Sequence, residues 1–130
     1  MRLTICLTAA AIVCASSTPL LAKSKHAAFQ LNQTSWTYIG KDGKRVRESI
    51  DANGNYIDQS VGGKHLDHGT AVIKAGKVCF TSAMTKEGET CFTTATSGPV
   101  KIGHSFVATS TKGRKVRVTR TKYVKLSMPS

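Results

Sequence analysis

A chain of 130 residues with 19 Lys and Arg against 7 Asp and Glu, a formal charge of +12, has the length of one domain and a short leader. No apolar run reaches the ~20 residues that a membrane-crossing helix needs, so a helical membrane protein is excluded. The charge favours contact with polyanions such as nucleic acid, acidic polysaccharide or anionic lipid headgroups, the alternative being a basic surface that only keeps the protein soluble.

The chain opens "MRLTICLTAAAIVCASSTPLLA". Arg2 precedes an apolar run from Leu3 to Ala15, and small residues with Pro19 follow. That order is the layout of a secretory signal peptide over residues 1–22, cut after Ala22, with Ala15 the other candidate. Cys14 ends an apolar run as a lipid-anchored cysteine would, but Val13 stands where a small residue is required. The remaining 23–130 form one domain of 108 residues with 18 basic and 7 acidic side chains, placed in the periplasm or outside the cell. Cleavage removes Cys6 and Cys14. Two cysteines then remain, Cys79 and Cys91, and an even count in an oxidising compartment reads as one disulfide.

Glycine-centred turns punctuate the domain at "KDGK", "ANGN", "KAGK", "KEGE" and "TKGR". Asp42-Gly43 and Asn53-Gly54 are the strongest hairpin signals among them. After a lead-in segment at Lys23–Gln30, the segments between turns are rich in Thr, Val, Ile, Tyr and Phe, which are strand compositions. The first strands are expected near Ser35–Gly40, Lys44–Asp51 and Asn55–Gln59. Trp36 and Tyr38 share a face, as do Val46, Glu48 and Ile50. Glu48 is the misfit in that set and is expected at a sheet edge or beside Arg45 or Arg47.

Next comes "GGKHLDHGT", Gly62 to Thr70, read as a loop from its glycines. His65, Asp67 and His68 are metal-ligand types, and shared ligation would need the loop plus a further ligand such as His104 or Asp58. The competing reading is a turn in which Asp67 caps backbone N–H groups and the histidines are solvated. Strands follow near Thr70–Lys74, Lys77–Ser82 and Glu89–Thr94. With Thr85 midway between them, Cys79 and Cys91 fall opposite each other in a hairpin, as a cross-strand disulfide requires. Phe80 and Phe92 would then face the core.

The last strands are expected near His104–Ser110 and Lys115–Lys125. Val116, Val118 and Val124 share one face, and Arg120 and Lys122 fall on that valine side. The basic residues Arg114, Lys115, Arg117, Arg120 and Lys122 make a candidate anion-binding strip, or a lysine-guarded edge strand. Tyr123 is the one aromatic in the stretch, and a binder of single-stranded nucleic acid normally offers several stacking platforms. That argues against nucleic acid and for an anionic envelope polymer or lipid headgroup.

No helical apolar periodicity occurs, so the expected fold is all-β. It is an antiparallel meander of about eight short strands, closed as a small barrel or folded as a sandwich, with one hairpin disulfide. The chain lacks the G-x-S-x-G, H-E-x-x-H, P-loop and G-x-G-x-x-G motifs, which points away from an enzyme, and no cofactor is called for.

The string from "TSWTYIGKDGKRVRESIDANGNYI" through "DHGTAVIKAGKVCFT" to "GETCFT" resembles a class of small exported proteobacterial proteins. These have a tryptophan strand, a "DANGNY"-like turn and a "GK-x-CF … E-x-x-C" hairpin, and the resemblance brings no known chemistry. The early tryptophan and the meander are more distantly similar to lipocalin-like barrels. Thr34 stands where the lipocalin Gly-x-Trp pattern has glycine, and Arg120 matches the late arginine that covers the tryptophan there.

Together these features imply an exported, non-enzymatic binding or envelope-interaction module with a cationic surface for an anionic partner. The alternatives are a lipocalin-like carrier using an interior lined by Trp36, Tyr38 and Phe106, or an inhibitor of a secreted hydrolase. Metal-assisted hydrolysis at His65, Asp67 and His68 ranks behind them.

Overall fold

A computed structural model describes residues 28–94 and 98–130. The leader assigned to 1–22 lies outside the described residues. Eight strands make one sheet: β1 Thr34–Ile39, β2 Arg45–Ile50, β3 Asn55–Ser60, β4 His65–Lys74, β5 Lys77–Ser82, β6 Glu89–Thr93, β7 Ser105–Thr109 and β8 Lys115–Thr121. The order is β6-β5-β4-β3-β2-β1-β8-β7, every pair antiparallel. β1 through β6 run as a meander, and β8 closes back onto β1. The two ends nearly meet: Phe92 bridges Ser110, and the Thr111 amide donates to Cys91 O at 2.9 Å. The sheet is therefore a nearly closed barrel, which decides between the barrel and the sandwich.

The turns form where their chemistry demands. Asp51 Oδ1 accepts from the Asn53 and Asn55 amides at 2.8 and 2.9 Å, an Asx arrangement that starts the β2–β3 hairpin. Gly54 completes that hairpin at φ 82°, and a Cβ there would stand 2.8 Å from Ala71 O. No other residue meets both conditions.

One expectation fails at β4. The stretch from Gly62 to Thr70 does not form a loop, because the strand begins at His65. The ladder absorbs the polar residues through a bulge. Asp58 pairs with Asp67 and Gln59 with His65, so Leu66 is the extra residue. Gly69 follows, at a close approach of β4 and β5, where a Cβ would lie 2.0 Å from Thr81 O. Gly69→Ala must push two paired backbones apart. It is expected to destabilise the fold by about 3 kcal/mol, read as a lowered denaturation midpoint at unchanged slope.

Alternation sets the interior. Trp36, Ile50, Tyr56, Ala71 and Val78 pack with Leu31 and Val100 in the core. Leu31 and Val100 close the barrel end reached by the β2–β3 and β4–β5 turns. Phe29 stacks on Trp36 at 5.8 Å, and Phe106 meets both rings edge-on at 5.9 Å. The indole N–H donates to Thr34 Oγ1 at 2.8 Å, and that hydroxyl donates to Leu31 O. Thr34 is fully buried, so it ties the tryptophan to the segment that closes the barrel.

β8 ends at Thr121, short of the expected Lys125. The tail then crosses the outer face: Val124 exchanges hydrogen bonds with Ser35 Oγ, and the Leu126 amide donates to Ser49 Oγ.

Candidate functional site

The barrel interior is hollow in two connected parts. The inner part, about 130 Å³, is apolar and lined by Phe29, Leu31, Trp36, Ile50, Phe106 and Val118, among others. The outer part, about 330 Å³, opens among the hairpin loops at Lys41, Thr85–Gly88 and Lys112. Tyr38, Glu48, Phe80, Phe92 and Arg114 border both, so the two are one chamber with a greasy floor and a polar mouth. The carrier alternative named Trp36, Tyr38 and Phe106, and all three line this chamber.

Its polar wall follows from register. Trp36 pairs with Glu48, Glu48 with Asp58, and Asp58 with Asp67, so three carboxyl groups sit side by side on β2, β3 and β4. Glu48 and Asp58 are each only 7% exposed. The expectation that Glu48 lies at a sheet edge or beside Arg45 or Arg47 is wrong. β2 is central, alternation turns Glu48 inward, and both arginines are exposed on the outer face.

Hydrogen bonds hold the cluster in place. Tyr38 Oη donates to Asp58 Oδ2 at 2.9 Å, and Tyr56 Oη to Asp67 Oδ2 at 2.9 Å. Ser82 Oγ donates to Asp67 Oδ1 at 2.6 Å. Burial, with Asp58 beside it, holds the Glu48 carboxyl well above the usual carboxylate range. Burial also pushes Asp58 up to about 7, against the hydrogen bonds from Tyr38 and Glu48 that pull it down. Both tyrosines are pushed up by burial and stay donors.

No cation offsets these acids at contact distance, since the one ion pair among the described residues is Lys74–Glu89 at 2.6 Å. Asp58 Oδ1 is buried and receives no hydrogen bond from a fixed donor. A buried carboxylate oxygen without a hydrogen bond is costly, and this one belongs to a side chain that borders a cavity.

The other candidate residues are dispersed. Arg114 and Arg120 lie on the inward face with Val116 and Val118, at opposite ends of β8. Arg114 borders the chamber and donates from Nη2 to Ile39 O at 3.3 Å. Arg120 pairs with Trp36 and donates to Val100 O at 2.6 Å and Gln30 Oε1 at 3.0 Å, bracing the closed end. Lys115 and Arg117 are exposed on the outer face, and Lys122 is exposed beyond the strand. Asp67 borders the chamber, while His65 and His68, opposite Gln59 and Ile57, turn out of it and adjoin, ring centroids 5.2 Å apart. Cys79 and Cys91 are joined as a cross-strand disulfide, with a Cα separation of 3.9 Å, consistent with an oxidising compartment. Glu89 lies close to both sulfurs, but their bond removes them as metal ligands.

Comparison with protein-family models, with curated proteins and with solved structures returned no match. The chamber's chemistry therefore carries the functional reading. Asp58 and Tyr56 were not singled out as lining an interior from the sequence. The available signal was three consecutive strands, each with one carboxylate in step with its inward apolar residues.

Proposed function

We propose that the protein is an exported, periplasmic carrier for small amphipathic molecules that bear a protonated amine. The apolar body fills the inner chamber and the ammonium sits against Asp58. The observation that carries this reading is the buried Asp58 Oδ1, without a hydrogen-bond partner, on the polar wall of the outer chamber that opens onto the apolar inner part. A ligand ammonium supplies both the missing hydrogen bond and the missing counter-charge. A cavity of a few hundred Å³ suits a ligand of this size. The polyanion reading keeps only Lys115, Arg117 and Lys122 as exposed members of its strip, and no feature of the outer face builds them into a site.

Trp36 is the only tryptophan, so its fluorescence reports on the chamber directly. Titration with phenethylamine at pH 8 is expected to give a saturable change, at least about tenfold tighter than with the neutral isostere phenethyl alcohol. Amine binding should weaken as the pH falls through about 7, where Asp58 takes up its proton. Equal affinity for the amine and the alcohol, or no saturable response, would overturn the proposal.

A further inference from the structure

The bulge at Leu66 has an effect on the other side of the barrel wall. In a regular strand, residues three apart point to opposite faces. The extra residue restores His65 and His68 to one side, outside the chamber, with their rings 5.2 Å apart and inclined at 46°. His65 Nε2 and His68 Nδ1 are both buried and neither has a hydrogen-bond partner. Two unsatisfied acceptor-capable nitrogens on adjoining imidazoles are what a bound cation would satisfy.

We propose that His65 and His68 form a binding site for a divalent copper or zinc ion on the outer face of the barrel, separate from the chamber. The spacing fits. With a metal–nitrogen distance of about 2.0–2.1 Å, two imidazoles held at the tetrahedral angle place their centroids roughly 5 Å apart. Imidazole nitrogen suits copper, nickel and zinc, and copper(II) binds such a site most tightly of the first-row divalent ions. Asp67 does not join, because Tyr56, Ser82 and the His68 amide hold its oxygens. Water or a small anion completes the coordination. This pairing differs from the loop trio read from the sequence, since one strand sends the aspartate inward and the histidines outward.

The test uses the exported protein, purified without an affinity tag and dialysed against chelator. Calorimetric titration with copper sulfate, and separately with zinc chloride, is expected to show one ion per chain. His65→Gln and His68→Gln should each weaken binding at least about tenfold. His26→Gln and His104→Gln, at the only other histidines, should leave it unchanged. The copper complex should show nitrogen hyperfine structure from two imidazoles, and either ion should raise the wild-type melting temperature. No binding, or binding lost with His26 or His104 instead, would overturn the site. Phenethylamine titration of the same variants separates the two proposals, because the chamber's response should survive the loss of either outward histidine.

Discussion

Asp58→Asn is expected to stabilise the protein above pH 7 and to abolish amine binding in the same molecule. The folded carboxyl titrates at about 7, burial being the main cause, against about 3.9 in an unfolded chain. Between those two values the folded state holds the extra proton, so wild-type stability falls as the pH rises from about 4 through 7. Asparagine keeps the volume and still accepts from Tyr38, but it has no proton to lose. The variant should therefore lie close to the wild type near pH 4.5 and exceed it at pH 8 by about 3 kcal/mol, on the order of 15 °C in melting temperature. Thermal melts across that range check the sign. A variant less stable than the wild type at every pH would show that Asp58 is structural glue, and the carrier reading would lose its basis. Gain of stability with loss of binding is the signature of a group kept for function.

Reduction of the Cys79–Cys91 bond should cost the fold about 3 kcal/mol, a drop on the order of 15 °C in melting temperature. The bond closes a loop with a sequence separation of 12 and pins β6 to β5. β6 depends on it because its other side meets β7 through little more than the Phe92–Ser110 bridge, the Thr111 amide and the Thr109 amide on Thr93 Oγ1. Once the bond is gone, the barrel should open first along that seam, where Phe92 borders the chamber. Hydrogen exchange on the reduced protein, or on Cys79→Ser/Cys91→Ser, should rise in β6 before it rises in β1–β4. Amine binding should weaken in parallel. Uniform exchange across all strands would contradict this order of opening. A free-thiol assay on the chain from Lys23 onward should find no reactive thiol.

Much of the fold was legible in the turns. The β5 bounds match the segment expected from the sequence, and most of the other strands differ by a residue or so at an end, because glycine and Asx chemistry acts locally. The exceptions have tertiary causes. At β4, pairing with β3 and β5 recruits His65–Gly69 into the sheet despite the glycines, and the bulge accommodates the mismatch. At the C-terminus, residues from Lys122 onward leave the ladder because the serines on the outer face of β1 and β2 offer hydrogen bonds to the tail.

By itself, the sequence determined an all-β chain, its strand positions, its disulfide and which residues alternate together on each strand. Only the tertiary structure decided which face of each strand is inside and which residues meet across the ladder. Alternation has a period of two within one strand, but the register between strands depends on long-range pairing. That pairing lines up Glu48, Asp58 and Asp67, three acids from three strands, against one cavity. It also sends Arg114 to the chamber and Arg120 to its closed end, taking two cations from the strip that looked like a surface. Burial then changes what Asp58 is: a carboxyl that is an ordinary anion on an open strand becomes, in this wall, a group that titrates at about 7, with one oxygen held by Tyr38 and the other left without a hydrogen bond.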